Sequence, residues 1–210
     1  MIAPASTVAC LERKGVLRCD GRRTPRDFRP AYRWMAERMC ERIGPPPPGV
    51  TYPLWAWARW SADRPRPDMR VLRHHSGVER CARLEIDMPG ERILLSDFDA
   101  WHCVLNGWCL TDTEAEDTAF NAALEAAGIP WGWPYPEPFR AQVMGSWLRI
   151  FDLDRPADPA WAGPPAERVV QATFWCLERS WVRRIEWFDG LPQARRKRGS
   201  PAPTALGFPV

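Results

Sequence analysis

Apolar residues recur at three- and four-residue spacing in some stretches of the chain and at every second position in others, which divides it into helices and strands. Ser6 or Thr7 caps a short helix through Lys14, closed by Gly15, and a strand Val16–Cys19 follows. Phe28, Tyr32, Met35, Met39 and Ile43 give the next helix one apolar face, with Pro30 in its first turn and Gly44 at its end. Pro45 to Pro48 predict a stiff extended connector. The aromatic run VTYPLWAWARW predicts a strand that starts at, or lies at a sheet edge because of, Pro53. In ARLEIDM, Ala82, Leu84, Ile86 and Met88 alternate with charged residues, so one face is wet. Pro89-Gly90 then turns the chain into a returning strand, Arg92–Leu95.

The second half reads in the same way. Ser96 and Asp99 have capping-box spacing ahead of a helix whose stripe is Phe98, Trp101, Leu105 and Trp108. A helix from Glu114 to Ala127 closes at Gly128, the loop WGWPYPEP interrupts, and a helix from Phe139 to Phe151 follows. Loop runs from Asp152 to Pro165, and two strands, Val169–Leu177 and Trp181–Phe188, complete the pattern. Helices and antiparallel strands without a βαβ rhythm predict an α+β fold: a single compact domain over residues 1–189, with a largely antiparallel sheet and several packed helices. Residues 190–210 are expected to be a flexible basic, proline-containing tail. His74-His75 falls in an expected loop or strand end.

Composition narrows the function. The chain has 210 residues, 45% of them hydrophobic, enough for one domain with a real core. Neither a membrane-length apolar run nor a leader-like N-terminus is present, which predicts a soluble, cytoplasmic protein without a membrane partner. Seven scattered cysteines predict buried thiols rather than disulfides, and no metal site. The net charge is +3, but Arg195, Arg196, Lys197 and Arg198 supply four positive charges, so the body carries about −1. Nucleic acid, as a partner, would therefore depend on the tail. Phosphate-binding glycine motifs, HExxH and GxSxG are all missing, which argues against P-loop, ordinary dinucleotide-fold and familiar hydrolase classes.

Three sets of residues carry candidate chemistry. Asp99, His102 and Asn106 form a polar stripe beside the apolar face of their helix, suited to a base and its orienter, with Ser146 or a cysteine as nucleophile; the competing reading is a cap, a boundary histidine and a helix end. Tryptophans in WAWARW and WGWPYPEP suit a non-catalytic module that holds a protein or nucleic acid, if they are exposed. Gln171 is an amide inside an apolar strand and needs partners.

The blocks FRPAYRWMAERM, YPLWAW, LLSDFDAWHCVLN, SWLRIFD and VVQATFWCL, in that order, resemble a bacterial family of unknown function, domain family number 3841, over about residues 11 to 188. The family's opening strand, of the WTIQ type, is missing or altered in MIAPASTVACLERKG. At the level of fold the chain is also similar to the ADP-ribosyltransferase superfamily. That similarity implies an enzyme that uses NAD on a macromolecule: Tyr32 or Trp55 as the nicotinamide slot, Arg59 or Arg33 as donor to the diphosphate, and Gln171 at the late-strand position.

Overall fold

The computed structural model describes residues 1–19, 21, 24–64, 66–75 and 79–191, and is α+β. The expected tail beyond residue 191 lies outside the described residues. The strands are β1 (Ile2–Pro4), β2 (Val16–Arg18), β3 (Leu54–Arg59), β4 (Arg80–Ile86), β5 (Leu94–Asp97), β6 (Val170–Phe174), β7 (Cys176–Glu178) and β8 (Val182–Asp189). The helices are α1 (Ala5–Lys14), α2 (Arg29–Ile43), α3 (Met69–His75), α4 (Phe98–Asn106), α5 (Glu114–Ala126), α6 (Phe139–Ser146) and α7 (Pro159–Ala162). Three sheets have the orders β1-β4-β8, β2-β7 and β3-β6-β5.

The chain forms two compact units. The first is Met1–Trp57, Arg66–Leu94 and the segment that starts at Ala172; the second is Ala58–Pro65 and Leu95–Gln171. The backbone passes from one unit to the other within β3, β5 and β6.

In the first unit, α1 ends as its sequence demands: Gly15 takes φ 70° and donates its N–H to the Leu11 carbonyl. The alternation in β4 is genuine, and Ala82 and Leu84 pack with Val8, Leu11, Leu17 and Leu177 in a core against which Ile86 and Met88 also rest. Buried Tyr32, Trp34, Met35 and Met39 form the inner face of α2.

An opening strand, β1, precedes α1 with the altered sequence Ile2-Ala3-Pro4, the second of the two expected alternatives, and pairs with β4 through Ala3 and Ala82. Other expectations are corrected. Pro89-Gly90 does not make a hairpin. Residues Gly90–Arg92 form a 3-10 turn, and the two edges of β4 are taken by β1 and β8, so β5 joins β6 instead. The long strand expected over Val169–Leu177 breaks at Trp175, whose indole N–H turns to the Gly44 carbonyl at 2.9 Å, and β7 pairs with β2. His74 lies in α3 rather than in a loop.

The second unit holds α4 to α7. Phe98, Trp101, Val104, Leu110, Phe120, Leu124, Val143, Trp147 and Ile150 are among its buried apolar residues. Thr113 caps α5 by accepting the Glu116 N–H, with Glu114, Glu116 and Asp117 in its first turn at the positive end of the helix dipole. No helix among the described residues is long and apolar enough to cross a membrane.

Candidate functional site

An aromatic cavity lies in the second unit, and its floor is set by the start of α4. Asp97, not Ser96, is the cap: one of its oxygens accepts the Asp99 and Ala100 N–H groups at 3.0 and 3.1 Å, while the Ser96 hydroxyl is buried without a hydrogen-bond partner among the described residues. The strand therefore runs one residue further than the capping-box pattern predicts. The other Asp97 oxygen lies 3.0 Å from the Arg155 guanidinium and 3.4 Å from that of Arg168.

This cap is one node of a buried charge network. Arg155 Nε donates to Asp112 at 2.8 Å, and Asp112 also accepts from Arg149 at 2.7 Å, which reaches Glu116 at 3.2 Å. Arg168 donates to the Leu153 and Arg155 carbonyls. Asp97, Asp112, Arg155 and Arg168 are all buried, where an unpaired charge would cost several kcal/mol, about 3–5 on loss of one partner. The network thus ties the entry of α4 to the segment between α6 and β6.

Above that floor is a cavity of about 310 Å³ walled by Trp108, Trp131, Trp161 and Phe120 and edged by Asp99, Asp117 and Asn121. Trp108 follows Gly107, which caps α4 at φ 68°, so this indole leaves the buried stripe to which its spacing had assigned it. It stands 6.0 Å from Trp131, centre to centre, at 40°. The Trp161 indole N–H is held by the Thr111 hydroxyl at 3.3 Å. Exposure is high for side chains of this size: 65% for Trp131, 42% for Trp161 and 40% for Trp108. A neighbouring hollow of about 370 Å³ shares Cys109, Thr111 and Phe120, and its charged edges, Glu116 and Arg149, already pair with each other.

Of the Asp99, His102 and Asn106 stripe, Asp99 alone lines the cavity, and Trp131 of WGWPYPEP lines it too. Burial raises its carboxyl above the usual range, and nearby Asp97 adds to the rise. His102 is on α4 with Nδ1 donating to the Phe98 carbonyl at 3.0 Å and its ring edge-on to Phe98 at 4.7 Å; Asn106 donates to the His102 carbonyl. Ser146 accepts the Leu110 N–H at 2.8 Å and donates to Val143 at 2.7 Å, the bonding of a structural hydroxyl. Burial pushes the Cys103 thiol up to about 12, so it is no thiolate at neutral pH.

The residues assigned to a nicotinamide site are divided between the units. Tyr32 and Trp55, in the first, are buried and packed on each other at 5.6 Å, with Tyr52 edge-on to Tyr32 at 6.0 Å. Burial raises the Tyr32 phenol further above its ordinary range. In the second, Arg59 donates to the Arg168 and Pro165 carbonyls at 2.9 and 3.1 Å. Gln171 is buried with its side-chain oxygen unpartnered. The Phe98 N–H bond to the Val169 carbonyl sets a register in which Gln171 faces Ser96, so two unsatisfied side-chain oxygens are cross-strand neighbours. Arg33 is exposed on α2. No group of three metal-ligating side chains occurs among the described residues.

Residues 6–183, which include the whole of this cavity, match the model of a family described as a domain of unknown function, DUF3841. The chain belongs to that family. No curated protein and no solved structure matches it. The family membership of this DUF3841 chain therefore carries no activity with it, and the ADP-ribosyltransferase similarity gains no support from known proteins. Sequence reasoning had flagged the WGWPYPEP tryptophans as a group but missed Trp161, Asp117 and Arg155. The signals available were weak ones: an isolated tryptophan between prolines, and one acid among several in a helix start.

Proposed function

We propose that this DUF3841 chain is a binding module and that its site is the aromatic cavity of the second unit. The supporting observation is that Trp108, Trp131 and Trp161 stay exposed around a hollow while the smaller apolar residues beneath them are buried. Three large apolar side chains kept in water around a concave surface cost burial free energy that a ligand recovers. The volume is at the lower end of the range for small-molecule pockets, so the occupant is a small molecule or one chemical group of a larger one.

An NAD-using transferase, the activity implied by the superfamily similarity, needs free cationic donors for a diphosphate. Arg59, Arg149 and Arg155 are engaged with carbonyls and carboxylates, and the exposed Arg33 belongs to the first unit while the cavity lies in the second, so the binding reading leads. The test is titration of the chain with soluble aromatic fragments, followed by tryptophan fluorescence and ligand-observed NMR. Trp131→Ala should weaken the fragments that bind by about tenfold. Should no fragment bind at millimolar concentration, or should Trp131→Ala and Trp161→Ala both leave affinity unchanged, the reading fails.

A further inference from the structure

We infer that the occupant of this cavity is a small organic cation, a protonated amine or a quaternary ammonium on a ring-sized apolar body. This rests on the binding reading above and adds the sign of the ligand's charge.

Arg155 is the cation in the lining, and its nitrogens are committed: Nε to Asp112 at 2.8 Å, Nη2 to Asp97 at 3.0 Å, and Nη1 to the carbonyls of Arg149 and Asp152 at 3.3 and 3.4 Å. Four of its five N–H donors are engaged and its charge is offset by Asp97 and Asp112, so it offers little to an anion. Asp97 is likewise consumed by Arg155 and by the two N–H groups it caps. The remaining carboxylates differ. Asp99 makes no side-chain hydrogen bond or ion pair among the described residues, and Asp117 accepts only the neutral Asn121 amide, at 2.8 Å. The unspent charge is therefore negative.

The walls carry the same preference, because the faces of indole rings are electronegative and attract cations. Trp108, Trp131 and Trp161 line the cavity together with Asp99 and Asp117. An anion would meet those carboxylates, while the one guanidinium in the lining is already offset by Asp97 and Asp112. A neutral ligand would strip water from Asp99 without replacing it, which costs free energy. A metal ion would need a cluster of ligating side chains, and no group of three occurs among the described residues. An organic cation satisfies the rings and the carboxylates together.

The test compares three probes of similar size on the intact chain: benzylammonium, benzyltrimethylammonium and benzyl alcohol. The two cations are expected to bind about tenfold more tightly than the alcohol. Asp99→Asn with Asp117→Asn should shrink the preference for the cations severalfold, leaving only the part the indole rings supply, and should not weaken the alcohol, while Trp131→Ala weakens all three. Both Asn substitutions keep the side-chain shape at solvent-accessible positions, and circular dichroism melting verifies that the variants are folded. If the alcohol binds as tightly as the cations and Trp131→Ala weakens both, the pocket stands and the cation inference is overturned. A preference undiminished in the double Asn variant, or tighter binding of benzoate, overturns it as well. If none of the probes binds, the pocket reading and the cation inference fall together.

Discussion

At the scale of single residues, Asp99 separates structural from functional design. The residue reaches solvent, but partial desolvation of its carboxyl, with Asp97 close by, holds it above the ordinary range, so ionising it costs a little folding free energy. A raised folded value means that the neutral form's contribution is complete below the unfolded carboxylate value, and is lost as pH rises through the folded one. Asp99→Asn should therefore raise the melting temperature at neutral pH, and the gain should vanish toward about pH 3. A residue kept at a cost to stability is the signature of a site. Equal melting curves for the two proteins at both pH values would show that the carboxylate has no such cost. Cys103 gives a second check: with its thiol near 12, iodoacetamide at neutral pH should modify the exposed Cys40 well before it, as read by peptide mass spectrometry. Comparable labelling rates would contradict the burial of Cys103.

At the scale of elements, local signals were legible and partner choice was not. Gly15 and Gly107 close α1 and α4 with positive φ because a residue without Cβ adopts that backbone cheaply, a fact that sits in the sequence itself. The alternation in β4 and the acidic first turn of α5 are of the same kind. In contrast, whether Ser96 or Asp97 caps α4 depends on Arg155 and Arg168, which are far along the chain and draw the Asp97 carboxylate into the network. The hairpin expectation failed for a similar reason: β8 offers β4 a long partner, with Leu84 opposite Ile185 and Cys81 opposite Phe188, which no short-range signal announces. Gly107 joins the two kinds of information. A Cβ there would come within 2.3 Å of the Trp133 Cβ, besides needing φ 68°. Gly107→Ala should cost about 2 kcal/mol or more and shift the tryptophan emission of the folded state. A melting temperature within a degree or so of the parent would mean that the Trp133 loop gives way freely.

At the scale of the whole molecule, the open question is whether residues 1–189 behave as the single domain their composition predicts. Each unit has its own buried residues, yet the backbone crosses between them inside three strands rather than in flexible linkers. A strand cannot melt at one end and keep its ladder at the other without losing cooperativity, so unfolding is expected to be one transition. The charge network provides the perturbation. Arg155→Met removes a buried guanidinium from between Asp97 and Asp112 and should cost about 3–5 kcal/mol, since both carboxylates lose their main partner. If the chain is one domain, hydrogen exchange in this variant should accelerate by the same factor at the slowest amides of β8, in the first unit, and of α5, in the second. Acceleration confined to Leu95–Gln171 would instead make the second unit an independently unfolding body. In that case the cation site would belong to a module that could be lost without the rest of the fold, and ligand binding should then raise the protection of that segment alone.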